Sequence, residues 1–249
     1  MIVLGIDVGG SAFKGAPVNT KTGRLLGERH RVEIDSPCPT AQGLAAAREI
    51  ARHFQWRGPV GVGFPSVILG DRIGVVGNLG RNWEDKNGRV LFSRATGGQA
   101  KLFNDADAAG LAEMRFGAGK GQMGSVLMLT LGTGIGSALF SRGRLMPNIE
   151  FGHIPWRGKP IERFASAAVR KRRNLSWAEW AKRVNVFLAV AERVCSPELI
   201  ILGGGVSKKS GKWLKYIKAR AKVVPARMGN DAGIVGAALA WEEAGKQGV

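Results

Sequence analysis

Two distant stretches of this sequence follow the same pattern, and this repeat constrains the fold more than any other feature. Val3–Val18 and Val126–Phe140 each read as an apolar strand, a polar residue with a glycine-rich turn, and a second strand. In both stretches the run before the turn is apolar almost throughout, as expected for a central strand that is covered on both faces. The repeat therefore predicts a fold built by internal duplication.

Extended and helical patterns alternate along the rest of the chain. Short apolar runs bounded by turn residues predict strands, and apolar residues at three- and four-residue spacing predict helices. Strands that alternate with helices, with glycine turns at strand ends, indicate an α/β architecture in two related halves. The predicted strands are Pro59–Phe64, Lys101–Phe103 and Leu199–Leu202, and the predicted helices are Thr40–Phe54, Asp105–Phe116, Ile161–Arg172, Ser176–Val194, Ser207–Ala221 and Asp231–Ala244.

The charge of the chain is its outlying bulk property. It has 37 lysine and arginine residues against 19 aspartate and glutamate residues, a formal net charge of +18. A field of this sign concentrates polyanions around a protein. Nucleic acid, an acidic membrane surface and inorganic polyphosphate all fit, and the charge by itself does not choose between them.

Apolar runs and cysteines narrow the setting in which the chain works. No run of about 18 apolar residues is present in the sequence, so we expect no membrane span. The two cysteines, Cys38 and Cys195, have no metal-ligand spacing and suit a reducing compartment. The sequence therefore predicts a cytoplasmic protein.

Two glycine-rich turns, Asp7–Ser11 and Leu131–Gly136, offer backbone N–H groups that no Cβ atom obstructs. A phosphate group needs such donors from a tight turn. One such turn alone is more simply an ordinary hairpin turn, but two at matching places in a duplicated fold favour phosphate binding. Neither turn continues as a Walker loop, and a dinucleotide-binding fingerprint is absent from the sequence.

Five motifs, in the same order, resemble those of the ROK family of sugar kinases. This family belongs to the superfamily of actin, hexokinase and Hsp70, so the resemblance implies a duplicated α/β fold of the actin/hexokinase (ribonuclease H-like) type, with two lobes around a cleft. We expect residues 1–103 plus 231–249 to form a small N-terminal lobe closed by the C-terminal helix, and residues 104–230 to form a larger lobe with the sugar and donor sites. The motifs are DVGG from Asp7, NDADAAG from Asn104, LGTGIG from Leu131, EFGH from Glu150 and GGGVS from Gly203.

The resemblance also implies roles for individual residues in phosphoryl transfer to a sugar. Asp105 is expected to be the general base beside the sugar 6-hydroxyl, and Asp7 is expected to face the phosphates through Mg²⁺ or a water bound to it. The expected sugar-binding residues are Asn104, Asp105, Glu150, His153 and Glu162. The expected donor-binding residues are Asp7, Gly9, Gly10, Ser11, Lys14, Gly132, Thr133, Gly134, Gly204, Gly205 and Lys208.

Several of these residues also have a plainer interpretation. Asn104 or Asp105 could be the N-cap of the helix that follows the strand, and His153 could be a core histidine. Asp107 is separated from Asp105 by about 200° around a helix, so one hydroxyl cannot face both carboxylates. We therefore expect Asp107 to complement the helix dipole.

At three points where it departs from the usual ROK pattern, the sequence resembles the bacterial polyphosphate glucokinases and glucomannokinases. Ala12 stands where ATP-dependent members commonly have lysine, and Lys14 follows two residues later. The segment after His153 has no cysteine, so we expect no zinc site, and the chain is short for the family. The resemblance thus implies a polyphosphate–glucose phosphotransferase that works as a homodimer, with mannose as a second acceptor and ATP as a second donor left open.

A row of lysines downstream of the last glycine motif would suit a long polyphosphate. If Ser207–Ala221 is a helix, several of Lys208, Lys209, Lys212, Lys215, Lys218 and Lys222 lie along one side of it. A solvated lysine face is an equally good interpretation. Two other functions stay open: an ATP-dependent ROK glucokinase, and a basic nucleic-acid-binding or regulatory protein on a kinase-like scaffold, which would have no use for an intact Asp105.

Overall fold

The computed structural model of the protein describes residues 1–76 and 79–246. The chain divides into two compact units, one made of Met1–Ala112 with the segment from Asp231 onward, the other of Glu113–Asn230. The boundary lies after residue 112, whereas the family resemblance implied a boundary after residue 103, and the second unit is the shorter one. The reason is that the first turns of the helix that begins at Asp105 pack against the C-terminal helix of the first unit, where Gly236 meets the backbone of Ala108.

The first unit is built around a six-stranded sheet. Its strand order is β3-β2-β1-β5-β8, with β4 paired to the outer side of β2. The pairs β1–β2, β2–β3 and β2–β4 are antiparallel, while β1–β5 and β5–β8 are parallel. The strands are β1 (Ile2–Val8), β2 (Ala12–Asn19), β3 (Arg24–Leu25), β4 (His30–Glu33), β5 (Val60–Phe64), the small pair β6 (Ile68–Leu69) and β7 (Arg72–Ile73), and β8 (Ala100–Asn104), and the helices of this part of the chain are α1 (Thr40–His53), α2 (Gly88–Thr96) and α3 (Asp105–Phe116).

The second unit repeats this arrangement. Its sheet has the order β11-β10-β9-β14-β15, with β9–β10 and β10–β11 antiparallel and β9–β14 and β14–β15 parallel. Each unit thus pairs a central strand with an antiparallel hairpin partner on one side and parallel strands on the other, which confirms the predicted duplication. The strands are β9 (Val126–Leu131), β10 (Ile135–Ser141), β11 (Arg144–Met146), β12 (Pro155–Trp156), β13 (Lys159–Pro160), β14 (Leu199–Gly203) and β15 (Lys222–Pro225), and the helices are α4 (Glu162–Ala165), α5 (Ala167–Arg172), α6 (Trp177–Cys195) and, returning to the first unit, α7 (Ala232–Lys246).

Glycines let α7 lie directly on the first sheet. A Cβ atom at Gly5 of β1 would clash with the carbonyl oxygen of Ile234, and one at Gly61 of β5 would clash with that of Ala237. Such close approach is available only to residues without a side chain. The helix consequently covers β1 and β5 at short range.

Large aromatic side chains fill the core of each unit. In the first, Phe64, Trp83 and Phe92 are fully buried, with ring centroids 5.2 to 6.2 Å apart. In the second, Trp180 and Trp213 meet edge to face at 5.9 Å, and both are fully buried. These rings are core residues, in agreement with the general tendency of tryptophan.

Most predicted elements are confirmed, and two are corrected. The predicted helix over 161–172 is interrupted at Ser166, whose extended backbone separates α4 from α5. The predicted helix over 207–221 is wrong: Ser207–Lys212 and Leu214–Tyr216 are short 3₁₀ segments, followed by extended backbone. Tertiary hydrogen bonds hold this irregular path, because Asn185 of α6 bonds the carbonyl of Tyr216 and the N–H of Lys218. None of the helices in the described part of the chain is both long and apolar enough to cross a membrane.

Candidate functional site

The first glycine-rich turn joins β1 to β2 at the carboxyl end of β1. The N–H of Gly9 donates to the carbonyl of Ala12 at 3.0 Å and closes the turn, while Gly10 and Ser11 are exposed. Asp7 and Lys14 lie directly opposite each other on the two strands, so Nζ of Lys14 is 3.5 Å from Oδ2 of Asp7. The hairpin therefore brings one carboxylate, one ammonium group and free turn positions together.

The Asp7 carboxylate lies in a constricted place. The side chain is 21% exposed, and a Cβ atom on Gly233 of α7 would come within 2.8 Å of its Cγ atom. Burial raises the pKa of Asp7, an effect that the positive charges of Lys14 and Arg29 partly offset. The arrangement suits a carboxylate that faces a cation, because a Mg²⁺ ion in kinases is commonly held by only one or two carboxylates and by the substrate phosphates.

The second glycine-rich turn joins β9 to β10 in the other unit. The N–H of Gly132 bonds the carbonyl of Gly134 at 3.0 Å, and the carbonyl of Gly132 accepts from the N–H of Ala168 in α5 at 3.0 Å. Thr133 is exposed at the tip. This turn is held from outside, by α5, as well as by its own hydrogen bond.

The third glycine motif lies beside the second turn. Gly204 has a φ of +80°, and a Cβ atom there would come within 2.6 Å of the carbonyl oxygen of Leu131, the residue before the second turn. Gly205 is exposed and has no neighbour within reach of a Cβ atom, and Lys208 is exposed. Because β9 and β14 are parallel neighbours, their carboxyl ends bring these predicted donor-binding residues to one edge of the second sheet.

The junction of β8 and α3 carries the two aspartates of NDADAAG. Asn104 is 5% exposed, and its Oδ1 atom accepts from the N–H groups of Ala106 and Asp107 at 2.9 and 3.1 Å. Its Nδ2 atom donates to the carbonyl of Ser66 at 3.2 Å. The structure thus favours the N-cap interpretation for Asn104. Asp105 is half-buried at the first helical position, and Asp107 is 2% exposed in the first turn.

Asp105 shares a sheet edge with the first turn. Strands β1, β5 and β8 are parallel neighbours, so their carboxyl ends point the same way. Gly63 of β5 is the link: a Cβ atom there would lie 3.7 Å from Cα of Asp105 and 3.8 Å from the carbonyl oxygen of Ile6. The predicted base and the Asp7–Lys14 pair therefore lie at the same end of one sheet, with β5 between β1 and β8.

The predicted sugar-binding residues of the second unit lie on a loop anchored to β10. The N–H of Phe151 donates to Oγ of Ser137 at 2.8 Å, and Gly152 packs against the carbonyl of Ile135. Glu150, just before Phe151, is half-buried, while His153 is exposed rather than a core histidine. No group of three or more His, Cys, Asp or Glu side chains suited to a metal occurs among residues 1–76 and 79–246.

The loop after His153 is held by a small hairpin. Pro155–Trp156 pairs with Lys159–Pro160, and the N–H of Ile161 donates to the carbonyl of Ile154 at 2.9 Å. The ring of Trp156 lies 6.4 Å from that of Phe164. Hydrogen bonds and ring packing thus position this loop.

Glu162 contacts the second glycine turn, which the sequence did not indicate. Its Oε2 atom accepts from the N–H of Ile135 at 3.0 Å, and a Cβ atom on Gly134 would occupy the place of this carboxylate. The predicted sugar-binding glutamate thus also supports the second glycine turn. The only sequence signal for this was the glycine at position 134, whose reason is visible only in the structure.

These features define a class of protein. Two α/β units of one topology, each with a glycine-rich hairpin turn at the carboxyl end of its central strand, form the duplicated actin/hexokinase-like fold. The chain belongs to the ROK family, whose sequence profile matches residues 3–161.

Similar proteins cover nearly the whole chain. A polyphosphate glucokinase of Mycobacterium tuberculosis (strain CDC 1551 / Oshkosh) is 43% identical over 95% of this chain and 89% of its own length. The crystal structure of an inorganic polyphosphate/ATP-glucomannokinase from Arthrobacter sp. strain KM has a TM-score of 0.94 and 40% identity, covering 98% of this chain and 99% of the other. A ROK hexokinase from Thermus thermophilus has a TM-score of 0.76 and 27% identity, with 100% of both chains covered.

Proposed function

We propose that the protein is a phosphotransferase that makes glucose 6-phosphate from glucose, with inorganic polyphosphate as the donor. The observation that carries this proposal is the position of Asp105, at the carboxyl end of β8 on the sheet edge that also holds the Asp7–Lys14 pair. Phosphoryl transfer needs a proton acceptor near the attacking hydroxyl and positive charge near the transferring group. The first unit supplies both groups at one edge.

In the reaction, the oxygen of the glucose 6-hydroxyl attacks the terminal phosphorus atom of the polyphosphate. Its proton passes to the carboxylate of Asp105, the new bond is the O–P bond of glucose 6-phosphate, and the bond that breaks joins the terminal phosphorus to its bridging oxygen. The electrons of that bond leave with a polyphosphate chain shortened by one unit. Glu150, His153 and Glu162 bind the other hydroxyls of the sugar, and Asn104 holds Asp105 in place through the cap of α3.

The donor phosphates are bound by glycine-rich turns and lysines. Backbone N–H groups that such turns leave unused bind phosphate oxygens, whereas the N–H groups of Gly9 and Gly132 close the turns themselves. An ammonium group adds a point charge without a fixed geometry. A Mg²⁺ ion facing Asp7 would neutralise charge on the phosphates during transfer. The proposed donor-binding residues are Gly9, Gly10, Ser11 and Lys14 of the first hairpin, Gly132, Thr133 and Gly134 of the second turn, and Gly204, Gly205 and Lys208 at the third glycine motif.

Two observations favour polyphosphate over ATP as the main donor. Relatives with 40% identity or more are named for polyphosphate use, and the Arthrobacter protein is named also for ATP and as a glucomannokinase. The +18 charge suits a long polyanion. By the same likeness we propose ATP as a second donor and mannose as a second acceptor. From the motifs of the ROK family and the absence of long apolar runs we also propose a cytoplasmic homodimer as the working form.

The lysines downstream of the third glycine motif do not lie on one continuous helix, as the sequence had predicted. With no continuous helix over 207–221, these lysines do not form a stripe along one helix face. Lys208, Lys209 and Lys212 remain exposed on the 3₁₀ segment that follows the third glycine motif. We assign donor binding to Lys208 and leave Lys215, Lys218 and Lys222 out of the mechanism.

One assay tests the function: formation of glucose 6-phosphate by the purified protein, with polyphosphate, ATP or neither present and with Mg²⁺ added or chelated. We expect product with polyphosphate and Mg²⁺, and loss of product on chelation. Product with ATP but not with polyphosphate would show that the protein is an ATP-dependent glucokinase. No product with either donor would contradict the proposal of an enzyme and would favour the nucleic-acid-binding or regulatory alternative.

A further inference from the structure

A cavity on the first unit is lined by arginines that the proposed reaction does not use. It has a volume of about 590 Å³ and lies between the last turn of α1, the segment that follows it, and the end of α2. Arg48 and Arg52 come from α1, Arg57 from the segment before β5, and Arg94 from the last turn of α2. No acidic side chain lines this cavity.

The carboxylate next to these arginines in sequence, Glu49 of α1, contacts His30. Among residues 1–76 and 79–246, none of the four forms an ion pair with a carboxylate, although Arg29, Arg31 and Arg89 of the same unit each do. Arginines at helix C-termini are favoured by the helix dipole, and this accounts for Arg52 and Arg94 singly. It does not account for Arg57, which lies outside both helices, or for four like charges around one hollow, which repel one another.

Topology places this cavity away from the reacting groups. Arg57 and Gly97 lie shortly before β5 and β8, at the amino ends of these strands, whereas Asp105 and the first glycine turn lie at the carboxyl ends. Each of the two strands has five residues, so the two ends are about 13 Å apart at 3.3 Å per residue. The cavity is therefore a second site and not an extension of the proposed phosphate site.

Arginine defines the chemistry of a ligand for such a site. A guanidinium group presents paired N–H donors that match the oxygens of a phosphate, and four of them around a hollow suit a ligand with several phosphate groups. A second, adjoining cavity shares Arg48 and Arg52 but is also lined by Glu49, whose carboxylate contacts His30 at 3.0 Å. Because the four arginines of the first cavity come from three separate segments, a flexible linear anion can contact several of them at once.

We propose that this cavity binds the distal part of a long inorganic polyphosphate while the chain end reacts. The proposal rests on the proposed function for the identity of the polyanion. A chain held at two places on one protein rebinds its second place as an intramolecular event, which raises the apparent affinity without any new contact at the reacting end. The gain exists only for chains long enough to reach both places, so the cavity would make the enzyme prefer long chains.

The test compares two triple variants with equal loss of charge. The cavity variant is Arg52→Gln, Arg57→Gln and Arg94→Gln. The control is Arg142→Gln, Arg144→Gln and Arg193→Gln, three exposed arginines of the second unit. The dissociation constant is measured without glucose for long-chain polyphosphate, tripolyphosphate and a single-stranded oligonucleotide, and kcat/KM is measured with long-chain polyphosphate, tripolyphosphate and ATP.

We expect the cavity variant to bind long-chain polyphosphate at least tenfold more weakly than the control variant, with kcat/KM for tripolyphosphate and ATP unchanged. Equal weakening in both variants would mean that only net charge matters and would overturn the proposal. So would an unchanged dissociation constant in the cavity variant, or a loss of oligonucleotide binding that exceeds the loss for polyphosphate. Because binding is measured apart from turnover, wild-type protein that binds polyphosphate through the cavity but forms no product would contradict the proposed function alone.

Discussion

The carboxylate of Glu162 accepts a hydrogen bond from the backbone N–H of Ile135, 3.0 Å away, at the end of the second glycine turn. The side chain reaches this N–H only because residue 134 has no Cβ atom. A residue with a predicted sugar contact thus also sets the shape of a predicted phosphate turn. Sugar binding and donor binding are expected to respond together when this contact is changed.

Replacing Glu162 separates its two roles. Glu162→Gln keeps an oxygen that can accept from Ile135 but loses the charge, while Glu162→Ala loses both. Hydrogen bonds to charged groups are worth about 1.5–3 kcal/mol, so we expect Glu162→Ala to raise KM for polyphosphate about tenfold or more. We expect Glu162→Gln to have a KM for polyphosphate close to that of the wild type. Steady-state kinetics with each substrate varied in turn measures this. If the two variants have the same KM for polyphosphate, the contact with Ile135 does not shape the donor site.

Asp105→Asn should abolish most turnover while glucose still binds. The change removes the proton acceptor but keeps the size of the side chain, and general-base catalysis typically contributes about 10²–10⁴-fold. Asp107→Asn is the matched control, because it removes a carboxylate two residues further along the same helix. We expect it to alter the free energy of unfolding more than kcat, since Asp107 is 2% exposed. Glucose affinity is measured by calorimetry, and a loss of affinity in Asp105→Asn would make this residue mainly structural.

The ionised Asp7 carboxylate is expected to lower the stability of the free protein. Burial raises its pKa in the folded state, so the folded protein holds a proton more tightly than the unfolded chain. The free energy of unfolding then falls as the pH rises from the ordinary pKa of 3.8 through the raised value. Asp7→Asn should therefore stabilise the protein against urea at pH 7, and the gain should vanish below pH 3.8.

Activity provides the counterpart to that stability measurement. Asp7→Asn removes the carboxylate proposed to face Mg²⁺, so its kcat with polyphosphate should fall at every Mg²⁺ concentration.

If urea unfolding shows that Asp7→Asn is less stable than the wild type at pH 7, the ion pair with Lys14 outweighs the cost of burying the Asp7 carboxylate.

Alanine at Gly61 should destabilise the first unit strongly. Its Cβ atom would meet the carbonyl of Ala237 and push α7 from the sheet, and overpacking of this kind typically costs about 1–3 kcal/mol. Gly211→Ala is the control, since no atom lies within 4 Å of a Cβ atom there. Urea unfolding of both variants measures the difference. Equal stability of the two would mean that α7 does not pack on β5 as closely as described.

The sequence predicted the parts of this protein that depend on local pattern. The apolar runs before two glycine turns indicated duplicated central strands, and the helical periodicity of Thr40–Phe54 and Asp105–Phe116 matches α1 and α3 within one residue. Periodicity failed at 207–221, because hydrogen bonds from Asn185 and the buried Trp213 hold that segment in an irregular path. Helix α2 was missed, although Asn87 caps its start and Gly97 its end.

The family and the chemical character of the site could be predicted from the sequence, because glycine turns and a carboxylate at a strand end are properties of short stretches of chain. Tertiary structure alone decided which groups meet. Register placed Lys14 opposite Asp7, parallel pairing put Asp105 on the same sheet edge, and a missing Cβ atom let Glu162 reach Ile135. The arginine cavity arises in the same way, since its residues lie on two helices and a connecting segment. Such contacts depend on strand register and helix packing over long sequence separations, and no local pattern records them.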